Sequence, residues 1–158
     1  MDAEWGAFRR ERSRDYLKEI HALKVRADGM GEVVRSLRES AEMLKAVDYS
    51  RPRVSSSSSG DAMPDAVASI EDAVDRHVQL LAEWASRLAE AEAILSEMED
   101  QEIASILERH YLVGETLEEI AYDLNYTSRA VAYKIAEGCS EMYDKLPPGW
   151  RIPIHPAI

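Results

Sequence analysis

The chain has one cysteine and one phenylalanine in 158 residues. A lone Cys139 closes no internal disulfide, so the sequence is not a disulfide scaffold. No run of eighteen apolar residues occurs, so no membrane-spanning helix is predicted. The opening residues, MDAEWGAFRRERSR, lack the apolar stretch of a secretory signal. His21, His77, His110 and His155 never pair with one another or with Cys139 at ligand spacing, so neither a metal nor a cofactor is expected. There is no Gly-rich phosphate loop and no nucleophile elbow. The many carboxylates recur on helix faces, where solvation explains them better than catalysis. These absences predict a cytoplasmic, non-enzymatic protein.

What is present is helical. Apolar residues make up 46% of the chain and charged residues 31%, which fits an all-α protein better than a β fold. The formal charge is -11, but the acid is unevenly placed. Residues 1–53 carry 12 Lys/Arg and 10 Asp/Glu, residues 54–101 carry 2 and 11, and residues 102–158 carry 5 and 9. An acidic C-terminal block opposes strong nonspecific binding to nucleic acid.

Two seams of apolar or small residues recur in steps of three and four. The first is Tyr16, Ile20, Leu23, Ala27, Met30, Val34, Leu37, Ala41, Leu44; the second is Val67, Ile70, Val74, His77, Leu81, Trp84, Leu88, Ala91, Leu95, Met98. Each predicts a helix of about 33–35 residues, ~50 Å long, and equal lengths predict an antiparallel hairpin over 1–100. Gly29 and Gly31 predict a kink or weak turn in a helix that continues. His77 is read as a polar interruption that sets register. Pro64 suits the first turn of the second helix, with Asp61 or the preceding serines as its cap. A two-helix core is thin, so self-association is expected, with a dimer favoured.

A Ser-rich loop lies near 48–64. It is read as a hairpin loop, or as a partner-binding segment using Tyr49, Arg51 and Arg53. The dense basic patch RRERSR, Arg9 to Arg14, touches nucleic acid or pairs with the acidic second helix; the helix, available within the chain, is the favoured partner. The tail at 147–158 has four prolines, and its Trp150, Ile152 and Ile154 are candidates to dock on the body or on a partner.

Residues 101–146 carry the most specific pattern. A helix from about Asp100 to Leu112 is ended by Gly114. Thr116 and Glu119 have capping-box spacing, and Leu117, Ile120, Ala121 and Leu124 form an inner face. Asn125 tolerates the left-handed turn, Tyr126 plugs the corner, and Thr127 caps a last helix with Val131, Ile135 and Met142 inward. Cys139 falls near that inner face as a small buried residue. This is helix-turn-helix logic. It turns Ser128, Arg129, Ala132, Tyr133 and Lys134 outward. On duplex DNA, Arg129 would read guanine or hold a phosphate, Lys134 would hold a phosphate, and Tyr133 would meet a phosphate or a thymine methyl. The amides after Thr116 and Thr127 would face phosphates. The alternative is a helical hairpin that uses the same packing for protein contact only.

The stretch ILERHYLVGETLEEIAYDLNYTSRAVAYKIAEGCSEMYDKL, Ile106 to Leu146, resembles region 4 of sigma-70-type factors. Arg109-His110-Tyr111 before a Gly, then Glu119-Ile120-Ala121, Leu124, Thr127 and Val131 carry the resemblance. With the Ser-rich loop and the acidic helix upstream, about residues 10 to 146 look like a family of small phage and prophage proteins of unknown function, similar to late-transcription regulators of the ArpU and RinA type. The resemblance implies a DNA-binding transcription regulator in the cytoplasm of a bacterial host, with RNA polymerase as a second partner. A full sigma factor is not implied, because no promoter-melting region is present. Asn125 replaces the usual turn Gly, and Ala132 and Tyr133 stand where such modules often carry Arg or Lys. A small terminase-like packaging subunit is the closest rival, and a helical adaptor without DNA binding is the third class.

Overall fold

The computed structural model describes residues 2–50 and 62–151, with side chains beyond residue 46 of the first helix and at residue 62 left aside. Those residues are all-α, as expected. Two long helices, α1 (Asp2–Ser50) and α2 (Ala62–Ser96), precede α3 (Gln101–Leu107), which continues into one π-helical turn at Glu108–Val113; α4 (Leu117–Leu124) and α5 (Ser128–Tyr143) complete the order. No helix among the described residues is long and apolar enough to cross a membrane. Two compact units result: residues up to Ala22 with those from Ser86 onward, and Leu23–Ala85. The division cuts across both long helices rather than falling between 1–100 and 101–146. The expected caps at Asp61 and the serines, the loop residues Arg51 and Arg53, the Tyr49 side chain, and Ile152 and Ile154 lie outside the described residues.

Helix α2 has the expected length, but α1 is a correction: it spans 49 residues and starts well before Tyr16. Its first turns are held by tertiary contact, which periodicity does not reveal. Trp5 stacks on Phe8 at 5.6 Å, and both present themselves to the Tyr143 ring near the end of α5. The buried Ser13 hydroxyl donates to the Cys139 carbonyl at 2.7 Å. The Arg patch also finds other partners than expected. Arg9 pairs with Asp144 at 2.7 Å and donates to the Ser140 carbonyl, while Arg12 donates to the Trp150 carbonyl and lies over its ring. The C-terminal end of α5, with its open carbonyls and negative dipole end, offers these cations more than the side of an acidic helix does. Trp150 docks as anticipated, its ring also meeting Tyr16 edge-on at 5.3 Å.

Antiparallel pairing is set by Tyr16 with Glu90 and Glu19 with Arg87 in the first unit, and by Gly31 with His77 in the second. Along α1, Tyr16, Ile20, Leu23, Ala27 and Val34 are buried as predicted, whereas Leu44 is exposed. Helix α1 runs through both glycines. A Cβ on Gly31 would stand 3.2 Å from the His77 imidazole, so this glycine admits the ring; Gly29 has nothing within 4 Å. On α2 most of the predicted seam is covered: Ala91, Leu95 and Met98 are buried and Ile70, Val74, His77, Trp84 and Leu88 half-buried, while Val67 and Leu81 are exposed. Ala73 and Leu80, outside the predicted seam, are buried beside it, because apolar residues a step apart fit the same periodicity.

The C-terminal elements follow their local signals closely. Asp100 caps α3 by accepting the amides of Glu102 and Ile103. Gly114, at φ 95°, donates to the Arg109 carbonyl five residues back, which produces the π turn. Thr116 and Glu119 form the reciprocal capping box, and Thr127 accepts from the Ala130 amide. Ile103, Ile106 and Leu107 of α3, Ile120 and Ala121 of α4, and Val131, Ile135, Cys139 and Met142 of α5 make the core; Leu117 and Leu124 are only partly covered. Tyr126 is more exposed than a corner plug requires.

Asn125 adopts φ 60° and ψ 40°, the left-handed turn anticipated for it. An alanine Cβ is disfavoured there by roughly 1–2 kcal/mol. Asn125→Ala is expected to lower the thermal midpoint, while Asn125→Gly stays near the parent; circular dichroism melts of the three proteins check this. A midpoint for Asn125→Ala equal to the parent would mean that the turn is not held left-handed in solution.

Candidate nucleic-acid interface

The outer face of α5 carries the site. Its amide end is opened by Thr127, whose hydroxyl is committed to Ala130, leaving the earlier amides at Ser128 and Arg129 without intrahelical acceptors. Val131, Ile135, Cys139 and Met142 face the core, so helical spacing turns Arg129, Ala132, Tyr133 and Glu137 to solvent. Thr127, Arg129, Ala130, Ala132, Tyr133, Lys134 and Glu137 line an open hollow of about 740 Å³. Tyr133 is 74% exposed.

Of the six predicted contact residues, the hollow gathers Thr127, Arg129, Tyr133 and Lys134. Ser128 is half-buried beside it. Thr116 opens α4 and does not line the hollow; its hydroxyl accepts the Glu119 amide.

Lys134 is less available than the sequence implied. Its Nζ lies 3.6 Å from Glu102 Oε1 and 5.0 Å from the centre of the Tyr126 ring. Its side chain is only 26% exposed. Tyr126 donates its hydroxyl to the same Glu102 oxygen at 2.6 Å, and this bond raises the phenol above its ordinary pKa. Glu102 thus tethers Lys134 at the edge of the hollow and leaves Arg129 more open than Lys134.

Several of the module's carboxylates are engaged internally. Arg109, in the π turn, clasps Glu115 through Nε and Nη2 and reaches Asp123 through Nη1 at 2.9 Å. The hydrogen bond from Arg109 holds the Glu115 carboxyl below its usual range. Glu119 is occupied by the Thr116 amide and Glu102 by Tyr126 and Lys134. Glu137 is the one carboxylate lining the hollow, against two basic residues.

Behind the face, α3 crosses α5 closely at Gly138. A Cβ there would lie 2.5 Å from Ile103 Cγ2 and 3.0 Å from Leu107 Cδ1. Sequence reasoning passed over this glycine, although a glycine inside a helical run signals a packing demand. It used Arg109 only as part of the resemblance, without an ion-pair role, and did not pair Glu102 with Lys134; no periodic signal marks either contact. Cys139 is buried at this crossing, and burial pushes its thiol up to about 11, which makes it an inert packing residue at neutral pH.

No family model, no curated protein and no solved structure matches the chain.

Proposed function

We propose that the chain binds duplex DNA through α5, with Arg129, Tyr133 and Lys134 against the groove and its phosphates, and that it serves as a phage- or prophage-encoded transcription regulator. The observation that carries this reading is the hollow on α5, where Thr127, Arg129, Tyr133 and Lys134 converge, while Arg109 pairs with Glu115 and Asp123 and offsets one of their two charges. Exposed Arg129 supplies the free cation, Tyr133 an amphipathic ring, and the first-turn amides a weak anion site. Self-association would place two such faces on one duplex and offset the small charge of each. RNA polymerase as a second partner follows from the resemblance to sigma region 4 alone.

The test is duplex binding at low salt, where phosphate attraction is strongest. Arg129→Ala is expected to weaken binding about tenfold and to lower the salt slope by about one. Lys134→Ala has a smaller effect, because Glu102 already holds that ammonium. Equal binding by the parent and both variants would place the contact elsewhere. No binding by the parent at low salt would leave the helical adaptor as the reading. A second reading, a DNA-recognition subunit of a packaging machine, shares the helix-turn-helix and the exposed apolar residues of the hairpin; the genes beside this one would separate it from the regulator whatever the assembly state.

A further inference from the structure

The Leu23–Ala85 unit buries too little of its own apolar surface. Leu23, Ala27, Val34, Ala73 and Leu80 are its buried hydrophobic residues, while seven large hydrophobic residues of the same unit stay exposed. Val33, Met43 and Val78 are 45%, 71% and 58% exposed. Isolated exposed apolar residues are ordinary, but seven on one two-helix unit with so few buried ones are not.

The rows sit in definite heptad positions. With Ala27 and Val34 at a, Val33 falls at g and Met43 at c of α1. With His77 and Trp84 at a and Leu80 at d, Val67 and Leu81 fall at e and Val78 at b of α2. In an antiparallel pair g lies beside g and e beside e across the seam. The apolar row of α1 therefore emerges on one broad face of the hairpin and that of α2 on the opposite face. The remaining half of each face is charged. Beside the α1 row, positions g and c of α2 hold Asp65, Asp72 and Glu83 against Arg76. Beside the α2 row, positions e and b of α1 hold Lys24, Arg35, Arg38 and Lys45 against Asp28 and Glu42. Within the rows themselves, Arg26 stands at g of α1 and Glu71 at b of α2, so the charges nearly balance on each face. One, the apolar-acidic face, is net negative with its acid on α2; the other, the apolar-basic face, is net positive with its base on α1.

We propose that a second copy of this chain packs head-to-tail on the hairpin, the apolar-acidic face of one copy against the apolar-basic face of the next. That arrangement lays the α1 row on the α2 row and acid on base at once. Pairing either face with itself would bring like charges together or set apolar side chains against charged ones. The size is adequate: a hairpin ~36 Å long and ~20 Å wide offers ~700 Å² per face, near the ~800 Å² per partner of a stable interface. An interface between two different surfaces leaves one of each free at the ends, so association continues beyond a dimer into a ring or a filament. The inference does not depend on DNA binding.

The experiment measures mass by light scattering after size exclusion, across a concentration series of the full chain. The parent is expected above dimer mass, growing with concentration. Val33→Glu blocks the apolar-acidic face and Val78→Lys the apolar-basic face. Each variant alone, with parental helicity and melting, is expected to be monomeric. Mixed, the two retain one intact face of each kind and form a 1:1 complex. A monomeric parent overturns the proposal, as does a closed dimer that stops growing. Full assembly by either folded variant, or a mixture that stays monomeric, also overturns it. If the variants lose helicity, Val33→Ser and Val78→Ser replace them, and a parental mass for either then counts against the interface.

Discussion

Gly138→Val lowers stability by about 3 kcal/mol, moving the thermal midpoint by roughly 6–12 °C in a chain of this size. The cause is local. α5 meets α3 through a position where even a Cβ would stand 2.5 Å from Ile103 Cγ2. That methyl is fixed to a branched Cβ inside a packed core, so it cannot swing aside without leaving its rotamer. Alanine at 138 gains about 1 kcal/mol of helix propensity, yet it still meets the methyl. Ile103→Leu removes the branch and keeps the volume, so it is expected to rescue part of the Gly138→Ala loss. Melts of the two single variants and the double variant check the coupling. Independent, additive losses would show that the crossing is looser than the structure has it.

Arg109→Ala is expected to weaken duplex binding roughly tenfold at low salt, by adding one unit of net negative charge and leaving Glu115 and Asp123 both without a cation. The residue touches Glu115 and Asp123 together, so its loss frees two carboxylates at opposite ends of α4. Stability falls as well, and its pH dependence has a definite sign. The hydrogen bond from Arg109 depresses the folded pKa of Glu115 below the usual value. Its stabilisation is complete above the ordinary Glu pKa of about 4.3 and is lost as pH falls through the lower folded value. The gap in melting temperature between the parent and Arg109→Ala is therefore widest near neutrality and closes in acid. A gap that widens in acid would contradict the ion pair, and a loss of stability without a loss of binding would place these carboxylates away from the DNA.

The C-terminal module was the most legible part of the chain. Thr116, Glu119, Asn125 and Thr127 each act through a backbone group within three residues or through their own φ, so their effect is written locally. The face of α2 was legible in the main. Ile70, Val74, His77, Trp84, Leu88, Ala91, Leu95 and Met98 of the expected row are covered, but Ala73 and Leu80 are buried where Val67 and Leu81 are exposed, because apolar residues a step apart fit the same pattern. The candidate site divides in the same way. Arg129 and Tyr133 turn outward because the inner face of α5 is apolar. Lys134 has the same spacing argument, yet Glu102 and Tyr126 draw it in from elements 32 and 8 residues earlier.

By itself, then, the sequence determined the all-α class, the capped helices around the Asn125 turn and which residues of α5 face outward, because capping, left-handed φ and helical periodicity act over one or two turns. Tertiary structure decided the helical state of residues 2–15, the burial of Ala73 and Leu80 rather than Val67 and Leu81 on α2, the pairing of the acidic residues with Arg109 and Lys134, and the need for glycine at 138. Each of these depends on contacts between side chains far apart in the chain, where several partners satisfy the same local pattern and only packing selects among them.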